Sequence, residues 1–188
     1  AAADLGLDVI VVSDGDLPLG GERVESVIVT DLTDAPRAAQ AVASEIGAGE
    51  IGAVIGVDDG AVLVAAELAR TLGVPHTDPQ AVAATRDKAL MRDLLASGGV
   101  PQPRSSPAAS LDEAAEAAER IGYPVVVKPR TLSASRGVIR VDDERALGPA
   151  WERVRTIADE AGARGPLLVE EFVPGPEVAV EALVGDDG

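Results

Sequence analysis

Residues 123–138 read YPVVVKPRTLSASRGV, an apolar strand that ends in a lysine and is followed by a loop of small residues and a glycine. This pattern suits a polyphosphate. The ammonium of Lys128 supplies a point charge, and the N–H groups and hydroxyls of the loop can close over phosphate oxygens. A solvated hairpin with a lysine at its end is the simpler alternative, and these residues alone leave both interpretations open.

A second stretch, residues 167–177, reads LLVEEFVPGPE. A hydrophobic strand stops there at a glycine between two prolines, so backbone amides and carbonyls at the break can pair with a flat heterocycle. Glu177, just beyond the break, could accept hydrogen bonds from ribose hydroxyls. The alternative is an exposed strand edge at which two adjacent glutamates face water.

Periodicity around these stretches predicts an α+β layer in the second half of the chain. Ser110, with Glu113 three residues later, forms a capping box and marks a helix start. The predicted elements are a strand over 104–106, a helix over 111–121, strands over 124–128 and 137–141, a helix over 144–160, and strands over 167–172 and 177–184.

In the first half, apolar strands alternate with amphipathic helices, which predicts a parallel sheet covered on both faces. The predicted elements are strands over 9–12 and 26–29, a helix over 36–46, a strand over 53–57 and a helix over 61–72. The result is an α/β fold, a truncated doubly wound parallel layer that lacks its first strand.

Asp58-Asp59-Gly60 falls where a strand is expected to end and a helix to begin. A ligand contact is one interpretation, because open α/β sheets bind ligands at such points. The favoured interpretation is that Asp59 caps the following helix. A further helix is predicted over 85–95, and the prolines of 100–103 require extended backbone after it.

Composition excludes several classes of function. The sequence has 46% hydrophobic residues, a net charge of −16 and a pI near 4.3, so its average field repels nucleic acid and anionic membranes. It has no cysteine, and therefore no disulfide framework or thiolate nucleophile. No signal peptide or membrane span is evident, which favours the cytoplasm. Turn and helix-end patterns at both termini suggest a segment cut from a longer protein.

Taken together, the motifs resemble those of a known family. The residues are the Thr85-Arg86-Asp87-Lys88 sequence on a helix, the strand ending at Lys128 with its loop, and the Glu-Glu-Phe-Val-Pro-Gly-Pro-Glu stretch that ends at Glu177. In order and spacing they are similar to the ATP-grasp superfamily of carboxylate–amine ligases, especially L-amino-acid ligases and then biotin carboxylase and carbamoyl phosphate synthase relatives.

The resemblance implies three segments: a pre-ATP-grasp α/β domain over 1–78, a helical connector over 79–103, and an ATP-grasp lobe with the start of a second lobe over 104–188, incomplete at its C-terminus. Lys88 and Lys128 would contact phosphates, and the loop 133–137 would cover them. Glu170, Glu171 and Val173 would form the adenine hinge, and Glu177 would bind ribose. The implied ATP-binding residues are Lys88, Lys128, Ser133, Ser135, Gly137, Glu170, Glu171, Val173 and Glu177.

The implied chemistry is activation of a carboxylate by ATP as an acylphosphate, followed by attack of an amine. The cofactors would be ATP and Mg²⁺, with the magnesium ligands beyond residue 188, so the chain alone is expected to recognise nucleotide without turnover. No residue is assigned a catalytic role. The implied partners are ATP and small carboxylate and amine substrates. A homodimer is a possible oligomeric state, and no nucleic acid or membrane partner is expected.

Three points stay open at this stage. Arg136 lies in the loop where many relatives carry a small residue, and either a phosphate contact or solvent exposure is consistent with its position. His76, the only histidine, is interpreted as a loop residue without a catalytic role. The rival functions are a non-catalytic nucleotide-binding regulatory domain and an NAD-dependent enzyme, although the sequence contains no Gly-x-Gly-x-x-Gly.

Overall fold

A computed structural model of the chain describes residues 5–15, 24, 26–46 and 51–182. The chain divides into two compact units, Ala1–Asp87 and Lys88–Gly188, called unit 1 and unit 2 below. No helix within the described ranges has the length and apolar character needed to span a membrane. The mixed helix and strand content confirms the predicted α/β class.

The described residues of unit 1 form two parallel strands and three helices. Strands β1 (Ile10–Ser13) and β2 (Ser26–Val29) pair in register from Ile10 opposite Ser26 to Ser13 opposite Val29. The helices are α1 (Ala35–Ile46), α2 (Val62–Leu72) and α3 (Pro79–Arg86). Small and aliphatic side chains of α1 and α2 close over β2, and they form a core with Ile28, Ala39, Val42 and Leu68.

Unit 2 contains a four-stranded antiparallel sheet in the order β3-β6-β4-β5. Its strands are β3 (Ser105–Ala108), β4 (Val125–Pro129), β5 (Ile139–Val141) and β6 (Leu167–Glu171). Its helices are α4 (Lys88–Ser97), α5 (Leu111–Ile121) and α6 (Glu144–Glu160). Val125, Val127 and Val169 form the main core with Trp151 and other side chains of α5 and α6.

Helix starts in unit 2 follow the predicted chemistry. The Ser110 hydroxyl accepts a hydrogen bond from the Glu113 amide at 3.2 Å, and the Glu113 carboxylate accepts one from the Ala109 amide at 2.8 Å. Asp143 caps α6 by accepting from the Ala146 amide at 3.0 Å. These side chains satisfy amides that have no partner within the helix, which explains why the starts of α5 and α6 were predictable.

Two predicted strands are wrong within the described residues. Residues 53–57 join neither β1 nor β2, and Ile55 and Val57 are 79% and 88% exposed. Residues 177–182 also form no strand, while 183–184 lie outside the described ranges. A strand needs a neighbour to pair with as well as an apolar sequence, and that neighbour is not determined by local pattern.

The helix predicted over 85–95 is present from Lys88 onward as α4, but its predicted start is wrong, because the chain breaks between α3 and α4. Asp87 is extended, with φ −124° and ψ 108°, and the Lys88 amide donates to the Arg130 carbonyl at 3.0 Å. A tertiary hydrogen bond therefore replaces one turn of helix.

The predicted cap at the start of α2 is wrong, because Ala61 is the N-cap of this helix and no side chain caps it. Asp58, not Asp59, accepts from the Gly60 and Ala61 amides, at 2.7 and 2.9 Å. Asp59 instead forms an ion pair with Arg86 at 3.0 Å.

Candidate functional site

The two faces of the unit 2 sheet differ in chemistry. Val125 and Val127 point to the face covered by α5 and α6, so Val126 and Lys128 point to the opposite face. Strand β6 places Glu170 opposite Val126 and Leu168 opposite Lys128. These four residues lie on one side of the sheet, which is called the Lys128 face below.

Glu170 is the centre of a buried charge network on this face. Its side chain is 7% exposed, and it is the only buried charged residue in the described part of the chain. One carboxylate oxygen forms an ion pair with the Lys128 ammonium, and the other accepts from Arg92 Nε at 2.5 Å. Arg92 also donates through Nη1 to the Gln102 side-chain oxygen at 2.7 Å.

Lys88 connects the start of α4 to the segment that follows β4. Its ammonium donates to the carbonyl oxygens of Leu132 and Arg130, at 2.5 and 3.3 Å. Lys88 and Lys128 are the only lysines in the sequence. The Lys128 ammonium is paired with a carboxylate, and the contacts of the Lys88 ammonium include two backbone carbonyls.

The loop of residues 133–137 has an unusual backbone. Ala134 and Ser135 both adopt left-handed conformations, with φ of 53° and 56°, which is uncommon for residues other than glycine. Two turn hydrogen bonds support them, from the Arg136 amide to the Ser133 carbonyl at 3.2 Å and from the Val138 amide to the Ser135 carbonyl at 3.3 Å. Ser133, Ser135 and Arg136 are exposed, so their side chains are accessible to a ligand.

Gly137 closes this loop and has to be a glycine on two grounds. Its φ is +72°, and an added Cβ would lie 3.0 Å from Pro129 Cγ and 3.3 Å from Ile157 Cγ2. Any side chain there would push the loop away from the sheet.

Glu171 points away from Glu170, as alternation along a strand requires. Its carboxylate accepts from the Arg104 amide and from Arg104 Nε, both at 3.1 Å. The hydrogen bond from the Arg104 side chain holds the pKa of the Glu171 carboxyl below its ordinary value. The Glu171 amide donates to the Arg104 carbonyl at 2.8 Å, so a backbone contact with a ligand would use the Glu171 carbonyl oxygen.

The segment after β6 is exposed. Val173 is 64% exposed, and Glu177 also lies at the surface. Between them and the sheet, the Phe172 ring is covered by the Arg140 guanidinium, whose carbon lies 4.1 Å from the ring centroid. The guanidinium and the ring form a cation–π contact beside the predicted hinge residues.

The structure thus brings some predicted site residues together and leaves others apart. Lys128 contacts Glu170 directly, and Lys88 is bonded to Leu132, adjacent to Ser133. Val173 and Glu177 lie further along the chain in the exposed segment. Sequence reasoning missed Arg92 and Gln102. The available signal for Arg92 was its position four residues after Lys88, which places both on one helix face.

Two family models match the chain, and it belongs to the ATP-grasp family. The ATP-grasp N-terminal domain matches residues 1–76, and the ATP-grasp domain matches residues 121–188. The resemblance predicted from the lysines, the loop and the hinge is confirmed.

Curated relatives are ligases and synthases. The chain is 32% identical over 120 residues to a D-alanine–D-alanine ligase of Pseudomonas entomophila (strain L48), covering 63% of this chain and 36% of that ligase. It is 33% identical over 140 residues to a carbamoyl phosphate synthase large chain of Mycobacterium sp. (strain JLS), covering 73% of this chain and 12% of that one. The chain therefore spans about a third or less of these relatives.

A crystal structure of L-amino acid ligase from Bacillus licheniformis is similar in fold. The TM-score is 0.67 at 25% identity, and the match covers 93% of this chain and 40% of that chain. The match therefore includes residues of both units of this chain.

Proposed function

We propose that the chain is the ATP-binding portion of an ATP-grasp ligase, which in its full-length form activates a carboxylate as an acylphosphate and joins it to an amine. The observation that carries the proposal is the Lys128 face. It holds Lys128 at the end of β4; the left-handed loop of residues 133–137 follows that strand, and a second lysine is bonded to the backbone at Leu132.

In this proposal the two lysines bind phosphate oxygens. Lys128 is 11% exposed, a depth at which its charge is less screened than at the surface. The Lys88 ammonium would exchange one of its carbonyl contacts for a phosphate oxygen. The hydroxyls of Ser133 and Ser135 and the Gly137 amide would contact the same phosphates from the loop.

The hinge would hold the base and the sugar. The Glu171 carbonyl and the Val173 amide would pair with the edge of adenine, with the Glu170 side chain at the inner end. Glu177 would accept hydrogen bonds from the ribose hydroxyls. The exposed position of residues 173–177 is consistent with a segment that contacts ligand on one side.

Magnesium completes the proposed chemistry. Within the described ranges, no group of three or more histidine, cysteine, aspartate or glutamate residues could hold a metal ion. The Lys128 face supplies cations and amides, which suit the phosphates and not the metal. We propose that the Mg²⁺ ligands lie outside this chain and that the ion would neutralise charge on the phosphates.

An amino-acid ligase is the substrate class we favour, because the L-amino acid ligase structure is 25% identical to this chain, whereas two biotin carboxylase structures of similar coverage are 21% and 22% identical. A carbamoyl phosphate synthase or biotin carboxylase type remains the second candidate, since identity to the D-alanine–D-alanine ligase and to the synthase is nearly equal.

We further propose that the chain is divided into three segments, over 1–78, 79–103 and 104–188. We also propose a cytoplasmic location and a homodimer for the full-length protein.

Calorimetric titration of the full-length protein with Mg-ATP tests the phosphate assignment. Lys128→Ala should weaken binding about tenfold to a hundredfold, because loss of one charged contact is worth about 1.5–3 kcal/mol. Arg153→Ala is the matched control. Arg153 is exposed on α6, which packs on the other face of the sheet, so its loss removes one positive charge without touching the site.

Unchanged affinity in Lys128→Ala, with wild-type protein binding Mg-ATP, would refute the assignment of Lys128. Absence of Mg-ATP binding by the wild type would refute the proposed function. Phosphate release from ATP, screened over pairs of amino acids and over bicarbonate with an amine donor, then separates the two substrate classes.

A further inference from the structure

Arg92 has no part in the function proposed above, yet its guanidinium lies beside the proposed phosphate site. It is on α4, one turn after Lys88, and its side chain is 21% exposed. Nε contacts Glu170, and Nη1 contacts Gln102. The two contacts hold the guanidinium from both sides and leave it little freedom to follow a ligand.

The charges on the Lys128 face do not cancel. One carboxylate, Glu170, is shared by two half-buried cations, Lys128 and Arg92, so the three groups together carry one net positive charge. Without Arg92, Glu170 and Lys128 would form an electrically neutral pair. A neutral pair attracts a polyphosphate much less than an incompletely neutralised lysine does, and at this depth water screens the difference only partly.

We propose that Arg92 is a positioning residue for the phosphate site. It holds Glu170 by one carboxylate oxygen, which keeps that glutamate from fully neutralising Lys128 and so leaves positive potential for the triphosphate. The proposal rests on the proposed function, in which Lys128 binds phosphate. Arg92 would act through Glu170 and Lys128, without contact to the nucleotide.

Two variants of similar size separate charge from packing. Arg92→Gln retains a hydrogen-bonding side chain and removes the charge, whereas Arg92→Lys retains the charge. The full-length protein is titrated calorimetrically with Mg-ATP, inorganic tripolyphosphate and adenosine. In Arg92→Gln, affinity for Mg-ATP and tripolyphosphate should fall about tenfold, while affinity for adenosine stays within twofold of wild type. In Arg92→Lys, all three affinities should stay within about threefold.

A second substitution tests the route through Glu170. Adding Glu170→Gln to Arg92→Gln removes the carboxylate that would otherwise neutralise Lys128, so tripolyphosphate affinity should recover most of the loss. A residue with a purely structural role would instead make the double variant weaker than either single one. Arg120→Gln, which removes an exposed arginine paired with Glu116 at 3.9 Å, is the control and should change nothing.

The outcomes are distinguishable. If wild-type protein binds neither Mg-ATP nor tripolyphosphate, the proposed function fails and this inference with it. If wild type binds and Lys128→Ala weakens binding, but Arg92→Gln matches wild type for tripolyphosphate, only the inference is overturned. If Arg92→Gln does not fold, Arg92→Lys is the variant that tests the inference. A tenfold loss of tripolyphosphate affinity in Arg92→Lys, which retains the charge, would contradict the inference.

Discussion

The two units differ in where their charged side chains lie. In unit 1, Asp59 and Arg86 pair at 3.0 Å with side chains 62% and 33% exposed. In unit 2, Lys128 and Glu170 pair with side chains 11% and 7% exposed. Removing charges from water is unfavourable unless the partners compensate closely. A network of buried charges is therefore expected at a binding site for a charged ligand. Within the described residues, only the Lys128 face of unit 2 has such a network.

The largest expected effect is on stability, and it contrasts these two ion pairs. Glu170→Ala leaves Lys128 and Arg92 as buried cations without their carboxylate, which should destabilise the protein by about 3–5 kcal/mol. Asp59→Ala removes an exposed pair and should cost less than about 1 kcal/mol. Urea unfolding of both variants measures the difference. Equal losses would show that the two units do not differ in this respect.

Glycines with the same backbone angle provide the second contrast. Gly137 in unit 2 and Gly73 in unit 1 have φ of +72° and +71°, but an added Cβ meets Pro129 at 3.0 Å in the first case and nothing within 4 Å in the second. Gly73→Ala should cost about 1–2 kcal/mol from backbone strain alone. Gly137→Ala adds overpacking of about 1–3 kcal/mol.

Thermal unfolding of the two alanine variants checks this contrast. Gly137→Ala should also weaken Mg-ATP binding, because it displaces the loop, whereas Gly73→Ala should leave binding intact. Identical midpoints for the two variants would show that the loop can move away from Pro129 at no cost.

The smallest effect concerns pH. The Arg104 hydrogen bond lowers the pKa of Glu171 below its ordinary value of 4.5, so the contact stabilises the folded state above pH 4.5 and is lost as pH falls through the folded pKa. In unit 1, the Thr33 hydroxyl similarly lowers the pKa of Asp31 from 3.8. The contribution of Asp31 therefore begins to fall below pH 3.8, whereas that of Glu171 begins to fall below pH 4.5.

Melting curves recorded at several pH values test the assignment. Glu171→Gln should melt below wild type at about pH 6 and converge with it as the solution is acidified, since wild type then loses the same contact. Asp31→Asn should begin to converge with wild type only below about pH 3.8. A difference between Glu171→Gln and wild type that does not change with pH would exclude the Arg104 contact as its source.

Predictability followed the range of the interactions involved. Helices α5 and α6 have the bounds expected from sequence, because their caps and apolar periodicity involve residues within a few positions of each other. The strand expected over 53–57 was wrong, and the helix expected over 85–95 begins at Lys88 instead of Thr85. Residues 53–57 would need a pairing strand, which they do not have in the described structure. The helix is interrupted before Lys88, whose amide donates to the Arg130 carbonyl.

The sequence by itself determined the family and the order of its motifs: a lysine at the end of an apolar strand, a small-residue loop closed by Gly137, and two glutamates before a proline-flanked glycine. Alternation along β6 also required that Glu170 and Glu171 point to opposite faces. Only the tertiary structure decided that Glu170 is the buried one and that Arg92, 78 positions away, shares it with Lys128. Side chains so distant in sequence meet through packing, which no local pattern encodes.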